Sequence, residues 1–137
     1  MSTEQTLVVV KPDGLKRRIV GRILARFEEK GFQIKNIKCH YFSTEKAREF
    51  YAVHKEKVFF NDLVNFISSG LVVAFILEGT NAINTVRLMV GATNSSEAAP
   101  GTIRGDFGLG TTENIIHASD SYESFINESR IIFAGIS

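Results

Sequence analysis

The chain has 137 residues, enough for one core and too few for two ordinary domains, so residues 1–137 read as a single domain. Apolar residues make up 44% and charged residues 23%, which excludes a disordered, fibrous or low-complexity chain. Sixteen Lys and Arg against fifteen Asp and Glu leave a formal charge of +1, without the broad basic footprint of a dedicated nucleic-acid binder.

The first residues, Met1 to Thr6, are polar and lack the positive start of an export signal. The longest apolar run, Leu71 to Leu77, is far short of the ~20 residues that span a membrane. With a single cysteine, Cys39, no internal disulfide can form. A cytoplasmic protein with no membrane partner is expected.

In chain order, Leu7 to Val10 is apolar and β-branched, the pattern of a strand buried on both faces. Pro12 ends it and leaves Lys11 at its carboxyl end. Ile19, Val20, Ile23, Leu24 and Phe27 recur at helical spacing, with Gly31 placed as a C-cap. From Phe32 to Phe42 the apolar phase slips between Ile34 and Ile37, which predicts a strand with a bulge. Ser43 or Thr44 can cap a short helix running to about Tyr51. Phe59, Leu63, Phe66 and Ile67 mark an amphipathic helix. Leu71 to Leu77 is predicted to be a central strand. Asn81 is expected to cap a helix carrying Ile83, Val86 and Val90, with Gly91 behind it. Asn114 to His117 reads as a short strand, with Ile115 and His117 on one face and Ile116 on the other. Asp120 and Glu123 resemble a capping box opening a last helix.

This order predicts an α+β fold of ferredoxin-like type, an antiparallel sheet with helices packed on it. Residues 91 to 113 interrupt it as a long Gly-rich loop, holding five of the eleven glycines. A loop that long in a compact domain is usually functional or disordered. It contains Thr93 and Arg104 and leads to His117.

Periodicity alone leaves His117 open between a core histidine held by one hydrogen bond and a nucleophile or general base. A catalytic imidazole needs a partner on its other nitrogen, and Glu128 and Ser119 are the candidates. Lys11, Arg87 and Arg104 would suit a polyphosphate if they converged; taken singly, each fits an ordinary solvated surface charge better. The Gly-x-x-x-x-Gly-Lys-Ser/Thr and Gly-x-Gly-x-x-Gly phosphate loops are absent, and the three histidines lack metal-ligand spacing. A ferredoxin-like module binding single strands, with Tyr51, Phe59 or Phe107 as stacking platforms, is disfavoured by the near-neutral charge.

Three runs decide between these readings. Asn114-Ile-Ile-His-Ala-Ser-Asp120, Lys11-Pro-Asp-Gly14 and Pro100-Gly-Thr-Ile-Arg-Gly-Asp106 stand in order along the chain. The chain resembles nucleoside diphosphate kinases over essentially its whole length. The resemblance implies ping-pong transfer of the γ-phosphate from a nucleoside triphosphate to a nucleoside diphosphate, with low base specificity. It implies phosphorylation of His117 on Nδ1, with Glu128, Ser119 and Lys11 completing the catalytic set. Lys11, Tyr51, Arg87, Thr93, Arg104 and Asn114 match positions that hold phosphates and ribose hydroxyls; Phe59 and Leu63 match the slot for the base. Mg²⁺ bound with the phosphates is implied, as is a homo-oligomer built from dimers, a hexamer rather than a tetramer. Val58, Leu71 and Ser95 stand where the family commonly has proline, which bears on loop stability more than on chemistry.

Overall fold

The computed structural model describes residues 3–133. Four strands form one antiparallel sheet: β1 (Thr3–Val10), β2 (Gln33–His40), β3 (Val72–Thr80) and β4 (Ile116–Ala118), in the order β2-β3-β1-β4. The helices are α1 (Pro12–Lys16), α2 (Val20–Lys30), α3 (Thr44–Phe50), α4 (Phe60–Ile67), α5 (Ala82–Val90), α6 (Ile103–Phe107) and α7 (Tyr122–Ile132). This is the expected α+β arrangement.

The central strands β1 and β3 are paired over the full length of β1, from Thr3 opposite Thr80 to Val10 opposite Val73. Period-2 alternation then sorts their side chains into two separate cores. Val8, Val10, Val73, Phe75 and Leu77 face Ile23 and Phe27 of α2 and Val86 and Val90 of α5. Leu7, Val9, Val72 and Ala74 face the other way, onto Phe50 of α3, Val64 and Ile67 of α4 and Phe125 and Ile132 of α7. Strand β4 joins the open edge of β1, with His117 opposite Val9.

Local signals account for most boundaries. Gly31 ends α2 at φ 116°, a left-handed conformation that glycine adopts without a Cβ penalty. The Ser43 side chain accepts a hydrogen bond from Lys46 N and starts α3. The expected bulge in β2 is present, as a register shift between Ile34 and Asn36.

One element is added and four expectations are corrected. A five-residue helix, α1, follows β1 directly, begun by Pro12. Asn81 sits at φ 53° and does not cap α5; Glu4 of β1 accepts from Ile83 N instead. Helix α7 is capped by Ser121, which accepts from Ser124 N, while Asp120 accepts from the Ser124 hydroxyl. The segment from 91 to 113 is not one unbroken loop, because it contains a 3-10 turn at Ser95–Glu97 and α6, whose start is capped by Thr102. Finally, Ile115 stands outside β4 with φ 77°. It packs with Ile116 and Ala118 in the α2/α5 core rather than beside His117.

Candidate active site

His117 is the one residue of β4 that faces α3 and α7. Its ring packs against Phe50, with centroids 4.8 Å apart, and edge-on to Tyr51 at 6.1 Å. From α7, Glu128 Oε1 lies 2.8 Å from His117 Nε2. The same carboxylate oxygen accepts a 2.8 Å bond from the hydroxyl of Ser119, which is fully buried. A carboxylate can only accept here, so Nε2 carries a proton, and in the neutral imidazole the lone pair is on Nδ1. Nδ1 has no hydrogen-bond partner among the described residues. Both sequence candidates for the histidine's support are therefore present, in series: Glu128 holds the ring and Ser119 holds Glu128.

The cations meet nearby. Lys11, only 3% exposed, donates from Nζ to Asn114 Oδ1 at 2.8 Å and to the Thr112 carbonyl at 3.3 Å. Burial first and then the Arg104 charge bring its pKa down to about 7, against the opposing charge of Asp13. Arg104, on α6, donates to the Ile116 carbonyl at 2.8 Å and the Gly91 carbonyl at 3.1 Å. Burial, and then the Arg87 charge, pull it down to about 10, so it remains charged at neutral pH. Arg87, on α5, is more exposed and reaches the Ala118 carbonyl at 3.3 Å. The backbone on either side of His117 thus carries one guanidinium at Ile116 and the other at Ala118. Tyr51 is buried beside them, its phenol pushed upward first by burial and then by the Glu128 charge. Its hydroxyl and Arg104 Nε are buried without partners. Such groups cost ~1–3 kcal/mol each unless something bonds them.

Asn114 acts as a hub. Besides accepting from Lys11, its amide donates to the Thr93 and Thr111 carbonyls, both at 2.8 Å. Thr93 itself is exposed and enters this network only through its backbone. Phe59 and Leu63 are farther out. Phe59 is 41% exposed at the start of α4, its ring 5.9 Å from that of His54, which is in turn 6.4 Å from Tyr51. Leu63, one turn on, packs against the α3/α4/α7 core. These two residues flank the site and do not touch the imidazole's bonding network.

Two residues were given no role by sequence reasoning. Phe50 forms a wall of the histidine's pocket, and its only signal was its place beside Tyr51 at the end of a helix. Asp13 stood in plain view in Lys-Pro-Asp-Gly, yet its partner, Ile115 N at 3.0 Å, is 102 positions away. A left-handed backbone at a β-branched residue costs ~1–3 kcal/mol and persists only where its surroundings hold it. A cavity of about 300 Å³ is lined by Asp13, Arg17, Leu109, Gly110, Glu113 and Ile115, without His117 or its partners.

Among the described residues no group of three His, Cys, Asp or Glu side chains is placed to hold a metal ion. The carboxylates about the site are each engaged within the protein: Glu128 by His117 and Ser119, Asp13 by Ile115 N and Asp120 by the Ser124 hydroxyl. Such a donor set fits a divalent cation that arrives on phosphate oxygens, not one caged by the protein.

A family model described as nucleoside diphosphate kinase matches residues 4–136. The chain belongs to the nucleoside diphosphate kinase family. Curated members include those of Staphylothermus marinus, 53% identical over 97% of this chain and 94% of its own length, and Thermoplasma volcanium, 55% identical over 96% and 89%. The crystal structure of the Aquifex aeolicus nucleoside diphosphate kinase matches with a TM-score of 0.94 at 51% identity, covering 98% of this chain and 97% of that one. A halophilic nucleoside diphosphate kinase from Halobacterium salinarum, solved in complex with CDP, matches with a TM-score of 0.93 at 43% identity, over 97% and 89%. Membership makes this enzyme a nucleotide-binding phosphotransferase. No helix among the described residues is long and apolar enough to cross a membrane.

Proposed function

We propose that the enzyme works by a ping-pong mechanism in which His117 carries the phosphate between two nucleotides. The observation that bears most weight is the 2.8 Å contact between His117 Nε2 and Glu128, which leaves the Nδ1 lone pair as the nucleophile. In the first half-reaction Nδ1 attacks the γ-phosphorus of a nucleoside triphosphate. An N–P bond forms, the P–O bond to the β-phosphate breaks, and the electron pair leaves on the diphosphate oxygen. Glu128 stabilises the positive charge the ring acquires. In the second, a terminal oxygen of a different nucleoside diphosphate attacks the same phosphorus, and the electron pair of the N–P bond returns to Nδ1.

Phosphoryl transfer needs mostly positioning and charge neutralisation. Lys11, Arg87 and Arg104 would supply the positive charge, and Tyr51, Thr93 and Asn114 polar contacts to phosphates and ribose. The unpartnered Tyr51 hydroxyl and Arg104 Nε support this, since a polar ligand would satisfy both. Mg²⁺, bound with the nucleotide phosphates, would add charge neutralisation. Phe59 and Leu63 form the apolar clasp for the base. Stacking without edge recognition makes the site indifferent to base identity, because every base has a π-face. The CDP bound by the Halobacterium relative fits such a slot. We read the enzyme as cytoplasmic and as a homo-oligomer built from dimers, supported by the uncovered edge of β2, where Ile37 is 52% exposed.

Incubation with Mg²⁺ and γ-labelled ATP, followed by ADP chase, tests the mechanism. Acid-labile, base-stable label should appear on the protein, transfer to added diphosphate, and vanish in His117→Ala. Label that survives the substitution overturns it.

A further inference from the structure

We infer that Asp13 is a positioning residue, which holds Ile115 in its left-handed turn and thereby aims His117; the inference rests on the phosphohistidine reading above. The two backbone polar groups of Ile115 are both taken by the Lys11-Pro12-Asp13-Gly14 run. Lys11 N donates to the Ile115 carbonyl at 2.7 Å, and Ile115 N donates to Asp13 Oδ2 at 3.0 Å. Gly14 leaves room for the Val10 side chain beneath this run. A Cβ at that position would lie 2.4 Å from Val10 Cγ1 and 3.5 Å from the Ile115 carbonyl oxygen.

The geometry explains why the turn matters. If Ile115 were extended, strand alternation would place it on the same face as His117. At φ 77° it instead enters the α2/α5 core, 1% exposed, with Ile116 and Ala118. The polypeptide therefore turns immediately before β4, and the register that follows sets His117 opposite Val9 and toward Glu128. A β-branched residue does not hold this conformation unaided. Among its ties the Asp13 carboxylate is the one made by a side chain, and so the one a substitution can remove. Asn114, the next residue toward the N-terminus, holds Lys11 Nζ, so the same turn ties the lysine's position to the histidine's.

Asp13 could alternatively act through charge, since its carboxylate faces the Lys11 ammonium. Asp13→Asn separates the two roles: asparagine keeps an acceptor for Ile115 N and abolishes the charge. The experiment compares wild type, Asp13→Asn and Asp13→Ala by single-turnover labelling with γ-labelled ATP, by ADP affinity, and by amide hydrogen exchange at Ile115. Asp13→Ala should lose tenfold or more in labelling rate and show faster exchange at Ile115, with ADP affinity within threefold of wild type. Asp13→Asn should stay within threefold of wild type in all three. The inference is overturned if Ala labels at the wild-type rate, if the Ala rate loss is matched by an equal loss of ADP affinity, or if Asn is as impaired as Ala. Should Asp13→Ala not fold, Asp13→Asn decides alone, a rate loss beyond threefold being fatal. Absence of label on the wild-type protein would instead sink the phosphohistidine reading, and the exchange comparison would still report on the turn.

Discussion

Lys11 should be a residue that the folded enzyme holds at a cost to its own stability. Its ammonium is 3% exposed, lies under the influence of Arg104, and has only neutral oxygens, of Asn114 and Thr112, within hydrogen-bond distance. The fall of its pKa from 10.5 to about 7 corresponds, at ~1.36 kcal/mol per unit, to roughly 5 kcal/mol spent in keeping it charged. Lys11→Met removes that cost but leaves Asn114 Oδ1 without its donor, a loss of ~1–3 kcal/mol. The variant should therefore be more stable than the parent by about 2–4 kcal/mol near pH 6, while losing activity. The sign of the pH dependence follows from the direction of the shift. Between pH 7 and 10.5 the unfolded parent binds a proton that the folded parent has released, so the parent gains stability as pH rises through that window. Urea unfolding of both proteins at one protein concentration, from pH 6 to 10, should show the advantage of the variant shrinking steadily above pH 7. A pH-independent difference, or a variant less stable at pH 6, would refute the reasoning.

Glu128→Gln retains an oxygen for Nε2–H but loses the charge facing the phosphorylated ring. It should slow single-turnover labelling by up to about four orders of magnitude with little change in nucleotide affinity, by analogy of role with the carboxylate of a Ser-His-Asp triad; a near-parental rate would remove Glu128 from the mechanism. Gly14→Ala places a methyl 2.4 Å from Val10 Cγ1 and should cost ~1–3 kcal/mol in urea unfolding as the β1 end shifts to accommodate it. Phe59, 41% exposed, should be replaceable by alanine within ~0.5 kcal/mol of stability. The same change should raise KM for purine and pyrimidine diphosphates alike, as expected from losing a stacking surface worth ~1–3 kcal/mol. A rise confined to one base would instead point to edge recognition.

Features that depend on neighbours in sequence were legible. The two-sided apolar runs of β1 and β3, the glycine ending α2, the serine opening α3 and the slip in β2 all declared themselves in a few residues. Features set by partners far along the chain did not. Asn81 looks like a cap, but the donor it would have bonded is taken by Glu4 from another element. The left-handed turn at Ile115 has no local signal, since isoleucine is a poor choice for it and its restraint comes from residues 11 to 14. Likewise, nothing in the spacing of Lys11, Arg87 and Arg104 demanded that they meet; α5 and α6 bring the two arginines to the carbonyls flanking His117, while Lys11 is held at Asn114 and Thr112. The histidine motif named its nucleophile. Which of Glu128 and Ser119 touches it needed three dimensions: Glu128 does, and Ser119 stands behind, bonded to Glu128.

Because β1 and β3 send alternate side chains into cores that do not share residues, the molecule has two interiors back to back on a common partition. Only one carries the imidazole. Hydrophobic replacements among Ile23, Phe27, Val86 and Val90 can adjust how hot the protein survives, and their effects should sum simply with changes on the far side. A fold arranged in this way can drift in endurance from one habitat to another without retuning its reaction, provided that the replacements leave Ile115, Ile116 and the Arg87 helix where they are.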